Sequence, residues 1–234
     1  MPRFFDFLTF PDGSPIPVEV LRNPRARNIG LRCETGSLVV LTLPLRGSER
    51  AGLEFLRAKT GWVRKNLNAA PAPWYFAPGV RLTLLGRDYE LVHAKDEKGG
   101  AWCEEKVIKV CGELAHFSRR TADLVKKTFL NYAASAAKTK AKKLGAALGR
   151  VSVRDQKSRW GSCTASGDIA LSWRLALAPE AMAEYVIAHE VCHLLEMNHS
   201  PRFWKLIYKI YDGDVAAAKQ WLKKNCLWLQ ALMI

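Results

Sequence analysis

The run VIAHEVCHLLEMNHSPRFW, Val186 to Trp204, constrains the local chain path more than any other part of this sequence. His189 and His193 are four residues apart, which on a helix places both imidazoles on one face a turn apart, the spacing at which two side chains can hold one metal ion. Glu190 is rotated about 100° around the same axis and can reach a water on the ion without being a ligand. A catalytic zinc takes three protein ligands and keeps a fourth position for water. Glu196 shares the face of the two histidines, but three ligands in file along one straight helix cannot surround a tetrahedral ion. His199 avoids this if the chain turns before it. Asn198 can end a helix in the left-handed conformation, and Ser200 with Pro201 reads as the cap and first residue of another helix. The expected site is therefore one zinc on His189, His193 and His199, with Glu190 as general acid/base and Glu196 orienting a ligand. Arg159 and Arg174 are the candidates to stabilise a developing oxyanion, with Trp160 framing the cleft. The isolated His93 and His116 are expected to be ordinary residues.

Six cysteines lie scattered without a CxxC pair, which fits a reducing cytoplasm. The amino terminus lacks the apolar run and small-residue cleavage site of a leader, and no window is apolar enough for a membrane span. With 49% apolar residues the chain can build a real core. Its net charge of +14 and pI near 9.7 favour polyanions as partners. Arg22, Arg25, Arg27 and Arg32 cluster around one turn and form the candidate polyanion surface, together with the lysine-rich helix that carries Lys138, Lys140, Lys142 and Lys143.

The pattern predicts an α+β chain in two parts. Residues 1–116 read as a β-rich unit, with VEVLR, NIGLRCE and SLVVLTLP as an antiparallel meander turning at NPRAR and ETGS, and one helix over GSERAGLEFLRAKTGWVRKNLN. Residues 117–234 read as the catalytic unit: a long helix over Thr121–Leu148, a small antiparallel sheet, and the HEVCH helix opening at Pro179. DIALSWRLAL alternates and is either an exposed edge strand that pairs with a peptide or an internal strand.

The segments DQKSRWGSC (Asp155–Cys163), SWRLALAP (Ser172–Pro179) and YVIAHEVCHLLEMNHSPRFW (Tyr185–Trp204) resemble the YgjP-like (DUF45) metal-dependent hydrolase family, related to SprT-like and WLM zinc metallopeptidases. The likeness extends to NPRARNIGLRCETGSLVVLTLP, GWVRKNL, LLGRDYEL and KQWLKKN. It implies a zincin-like fold in the second part, His189, His193 and His199 as ligands, Glu190 as acid/base, and a peptide or protein substrate. It also implies two alternatives. Some members are described as pyrophosphatases acting on UTP, and SprT-like relatives act on proteins attached to DNA.

Overall fold

A computed structural model describes residue 16 and residues 18–34, 38–68, 71–156 and 159–234. The expected leaderless amino terminus and the turn over residues 35–37 lie outside these. The architecture is mixed α+β, with six helices and small sheets among the described residues. By its internal contacts the chain divides between Trp74 and Tyr75, not near residue 116. The reason is the sheet of residues 81–111, whose strands pack on the long helix of the second unit.

In the first unit, β1 (Val18–Asn23), β2 (Gly30–Glu34) and β3 (Leu38–Pro44) form a sheet in the order β1-β3-β2. It is no meander: β1 runs parallel to β3 and β2 antiparallel to it. β3 takes the centre because Val39, Val40, Leu41 and Leu43 are all fully buried, which an edge position does not allow. The single helix expected next is broken at Lys59 into α1 (Glu49–Ala58) and α2 (Thr60–Asn68). Ser48 caps α1, its hydroxyl accepting from the Ala51 N–H at 3.4 Å. Leu56 and Val63 then close the core with Val39, Leu41 and Leu43. Arg22, Arg25, Arg27 and Arg32 are all exposed. Arg22 is partly used internally, donating to the carbonyls of Leu45 and Gly47 at 3.1 and 2.8 Å.

After β4 (Trp74–Tyr75) at the boundary, the second unit opens with β5 (Arg81–Leu84), β6 (Arg87–Ala94), β7 (Ala101–Glu104) and β8 (Val107–Cys111), ordered β5-β6-β8-β7. Helix α3 (Phe117–Leu144) follows, starting and ending about four residues earlier than expected, because Gly145 in the left-handed region (φ 66°) stops it. Its buried stripe, Ala122, Val125, Phe129, Ala133, Ala137 and Ala141, recurs every three or four residues and ends in alanines that admit a close neighbour. That neighbour is α4 (Glu180–Cys192). The Tyr132 hydroxyl lies 2.6 Å from Glu184 and 3.0 Å from Glu180, and Lys140 pairs with Glu184 at 2.5 Å and donates to the Ile210 carbonyl. Lys140 is thus a tie between helices, whereas Lys138, Lys142 and Lys143 are exposed.

Between α3 and α4 lie β9 (Val151–Arg154), β10 (Gly161–Cys163) and β11 (Ile169–Ser172), ordered β10-β11-β9. The sheet is mixed, not antiparallel, since β9 runs parallel to β11. β11 is therefore internal, Trp173–Leu177 coils into a buried 3₁₀ turn, and β10 and β9 are the edge strands. Helices α5 (Pro201–Ile210) and α6 (Val215–Gln230) and a short β12 (Leu232–Met233) complete the unit. No helix among the described residues is long and apolar enough to cross a membrane.

Candidate metal centre

Helix α4 buries residues on every side, including Ala183, Val186, Ile187, Ala188, Val191 and Cys192, as a helix enclosed by others must. It contacts α3, α5 and α6. It ends at Cys192, earlier than Asn198, because Leu194 and Leu195 donate to Val191 and Cys192 three residues back and tighten the last turn. Asn198 instead accepts from the Ser200 N–H at 3.0 Å, and Ser200 caps α5 by accepting from the Phe203 N–H at 3.4 Å. These local bonds fold His199 back over α4.

The three imidazoles converge. Ring centroids are 4.9 Å apart for His189–His193 and His189–His199 and 5.0 Å for His193–His199. Their nitrogen ligand atoms all lie within 4.8 Å of one another, and the Nε2 atoms of His189 and His199 are 3.0 Å apart. Tetrahedral zinc with Zn–N bonds of about 2.05 Å needs about 3.3 Å between ligand nitrogens, a spacing the His189–His199 pair is near and the set of three brackets. The protonation pattern fits as well. His193 Nδ1 is 2.9 Å from the Glu196 carbonyl oxygen, which can only accept, so Nδ1 carries the proton and Nε2 keeps its lone pair. Burial, reinforced by His193 and His199 and then by Lys219, pushes His189 down to about 4, and His199 is also lowered, by burial and then His193 and Lys219. Imidazoles held neutral are ready to ligate. Beneath them Phe203, fully buried, touches all three rings at centroid distances of 4.7 to 4.9 Å.

Glu190 is 5% exposed, and burial raises its carboxyl to about 7, with Arg159 pulling the other way. Its seat is made by Gly161. A Cβ at that position would stand 2.5 Å from Glu190 Oε1 and 2.6 Å from Cγ, so only glycine leaves room for the carboxylate beside β10.

His189 and Glu190 open on a cleft of about 400 Å³ that Arg159, Trp160, Gly161 and Tyr185 also line. Arg159 and Trp160 both line it, beside Glu190. Arg174 does not. Its guanidinium is buried against Asp155 (2.8 and 3.3 Å) and donates to the carbonyls of Leu229 and Leu232 at 2.8 and 2.9 Å, so it holds the carboxy-terminal chain. Glu196 orients His193 through its main-chain carbonyl. Gly161 was legible only as a tight backbone passage, not as the seat of Glu190, and sequence reasoning missed Phe203 and Tyr185, and also Lys219 and Lys223 on α6. Tyr185 was findable, one turn before His189 on the same helix face.

The HEVCH segment, with a third histidine returned by a turn, brings together three side chains that could hold one metal ion. The YgjP-like, metallopeptidase domain family matches residues 27–225, and the chain belongs to that family. Among solved structures, the chain is similar to the metallopeptidase zymogen of Pyrococcus abyssi abylysin at 24% identity, over 44% of this chain and 99% of that chain, with a TM-score of 0.36. No curated protein matches.

Proposed function

We propose that this chain is a zinc-dependent metallopeptidase of the zincin type. The observation that carries the reading is the convergence of His189, His193 and His199 beside a buried Glu190 that faces the same cleft. Zinc held there supplies Lewis acidity for the scissile carbonyl and lowers the pKa of water towards about 7. Glu190, at about 7, takes a proton from the attacking water and returns it to the leaving amine, both near neutral pH. Arg159, which makes no ion pair among the described residues and lines the cleft, is the group that offsets negative charge on the carbonyl oxygen. Strand β10 pairs with β11 on one side, and no strand takes its other side among the described residues. An extended peptide adding to that edge passes Gly161 and so passes Glu190. The six cysteines are all unpaired, which supports work in the reducing cytoplasm.

The test is hydrolysis of an unstructured protein such as casein by wild type and by Glu190→Gln. Cleavage by the wild type alone is expected; pyrophosphate release from UTP in its place would replace this reading with a phosphoanhydride hydrolase. Recruitment to nucleic acid through Arg22, Arg25, Arg27 and Arg32 is a separate proposal, supported by their exposure. Binding that weakens steeply with salt and is abolished by reversing those charges is the expected result.

A further inference from the structure

The cleft beside Glu190 is walled on its far side by α6. Lys219 and Lys223 are four residues apart and so share one face of that helix, with Leu222 as the apolar floor between them. Arg159 adds a third cation from the segment leading into β10. All three are exposed residues, and none forms an ion pair among the described residues. Glu190 is the only carboxylate in the lining. Lys219 is also held in place: its ammonium sits 3.7 Å from the Trp204 ring centroid, and Trp204 stacks on His199 at 6.0 Å with 27° between planes. The Lys219 ammonium is thereby held near His199, one of the three converging histidines.

Three cationic side chains line a space of about 400 Å³, and their summed charge favours an anionic substrate group over a cationic one. The remaining lining is apolar and aromatic, Trp160, Tyr185 and Leu222, which suits the methylene stem of an acidic side chain. On the reading that the chain is a peptidase, we infer that Lys219 and Lys223, with Arg159 adding to the local positive potential, form a specificity subsite for an Asp or Glu side chain adjoining the scissile bond. A carboxylate there is balanced by the lysines, whereas a Lys or Arg side chain is repelled and left unpaired.

The experiment uses the full-length, metal-loaded protein and matched peptides that carry Glu, Gln or Lys on either side of one scissile bond. Each is assayed with wild type, Glu190→Gln and Lys219→Glu/Lys223→Glu. Cleavage that depends on Glu190 and favours Glu over Gln by about tenfold in kcat/KM is expected, two partly exposed charge pairs each adding about threefold. Lysine should be the worst substrate for the wild type and the best for the double variant, and the Glu preference should narrow in high salt. Glu190-dependent cleavage without a Glu preference overturns the subsite and leaves the peptidase standing. Loss of all three cleavages, with UTP hydrolysed instead, overturns the peptidase reading and the subsite with it.

Discussion

The Cα of Gly161 faces the carboxylate of Glu190 so closely that a Cβ there would lie 2.5 Å from Oε1 and 2.8 Å from Cδ. Because the backbone of Gly161 is not in the left-handed region, alanine there is excluded by this contact and not by φ. Gly161→Ala should therefore fold and bind metal as the wild type does while shifting the carboxylate. A misplacement of about 1 Å costs about a hundredfold in kcat. Metal content and turnover measured on the same sample check it; normal turnover would remove Gly161 from the site.

His199 and Glu196 make opposite demands on the metal. His199→Ala removes a ligand and should leave most chains without zinc. Glu196→Ala keeps the carbonyl that orients His193 and should retain it, since the side chain is not the group in use. Zinc stoichiometry by elemental analysis separates the two; a full complement in His199→Ala would move the third ligand elsewhere.

Burial of Glu190 has a thermodynamic sign. Its carboxyl sits at about 7 in the folded chain against an ordinary 4.5, so as pH rises between these values the unfolded state gives up its proton first and is favoured. Stability of the metal-free protein should fall across that window. Glu190→Gln should remove the penalty, making the metal-free variant more stable than wild type by about 2 kcal/mol at pH 8 and equal to it at pH 4. Chemical denaturation at the two pH values reads the difference.

Arg174 carries no chemistry in this account, and its replacement should show that. Arg174→Met breaks the Asp155 pair and orphans the carbonyls of Leu229 and Leu232, a loss of about 3 kcal/mol with zinc affinity retained. Burial pushes the Asp155 carboxyl up, but Arg174, with smaller help from Trp173 and Lys126, outweighs this and its pKa is lowered. A depressed carboxyl stabilises the fold above its unfolded value of about 3.9, and that contribution is lost as pH falls through the lower folded value. The acid limb of the stability curve should accordingly flatten in Arg174→Met.

The convergence of the three histidines was legible because its signal is local: two histidines a helical turn apart, then a cap that forces a turn before the third. Even there, the end of α4 was misplaced by about six residues, since main-chain bonds at Leu194 and Leu195, not the residue types, stop the helix. Gly161, Phe203, Lys219 and Lys223 reach the site through the packing of β10, α5 and α6 against α4, and no spacing along the chain encodes that. Strand order was illegible for the same reason. Alternation marks β11 as a strand but does not say that β9 and β10 take its two sides. Arg159 and Arg174 look alike in sequence, and only burial tells the cleft residue from the tie.

Zinc per chain and casein cleavage, measured on one preparation of wild type and one of Glu190→Gln, test the central claim most directly. The account expects one zinc in each protein and cleavage only by the wild type. Cleavage by Glu190→Gln, or wild type purified and reconstituted without binding zinc, would contradict it.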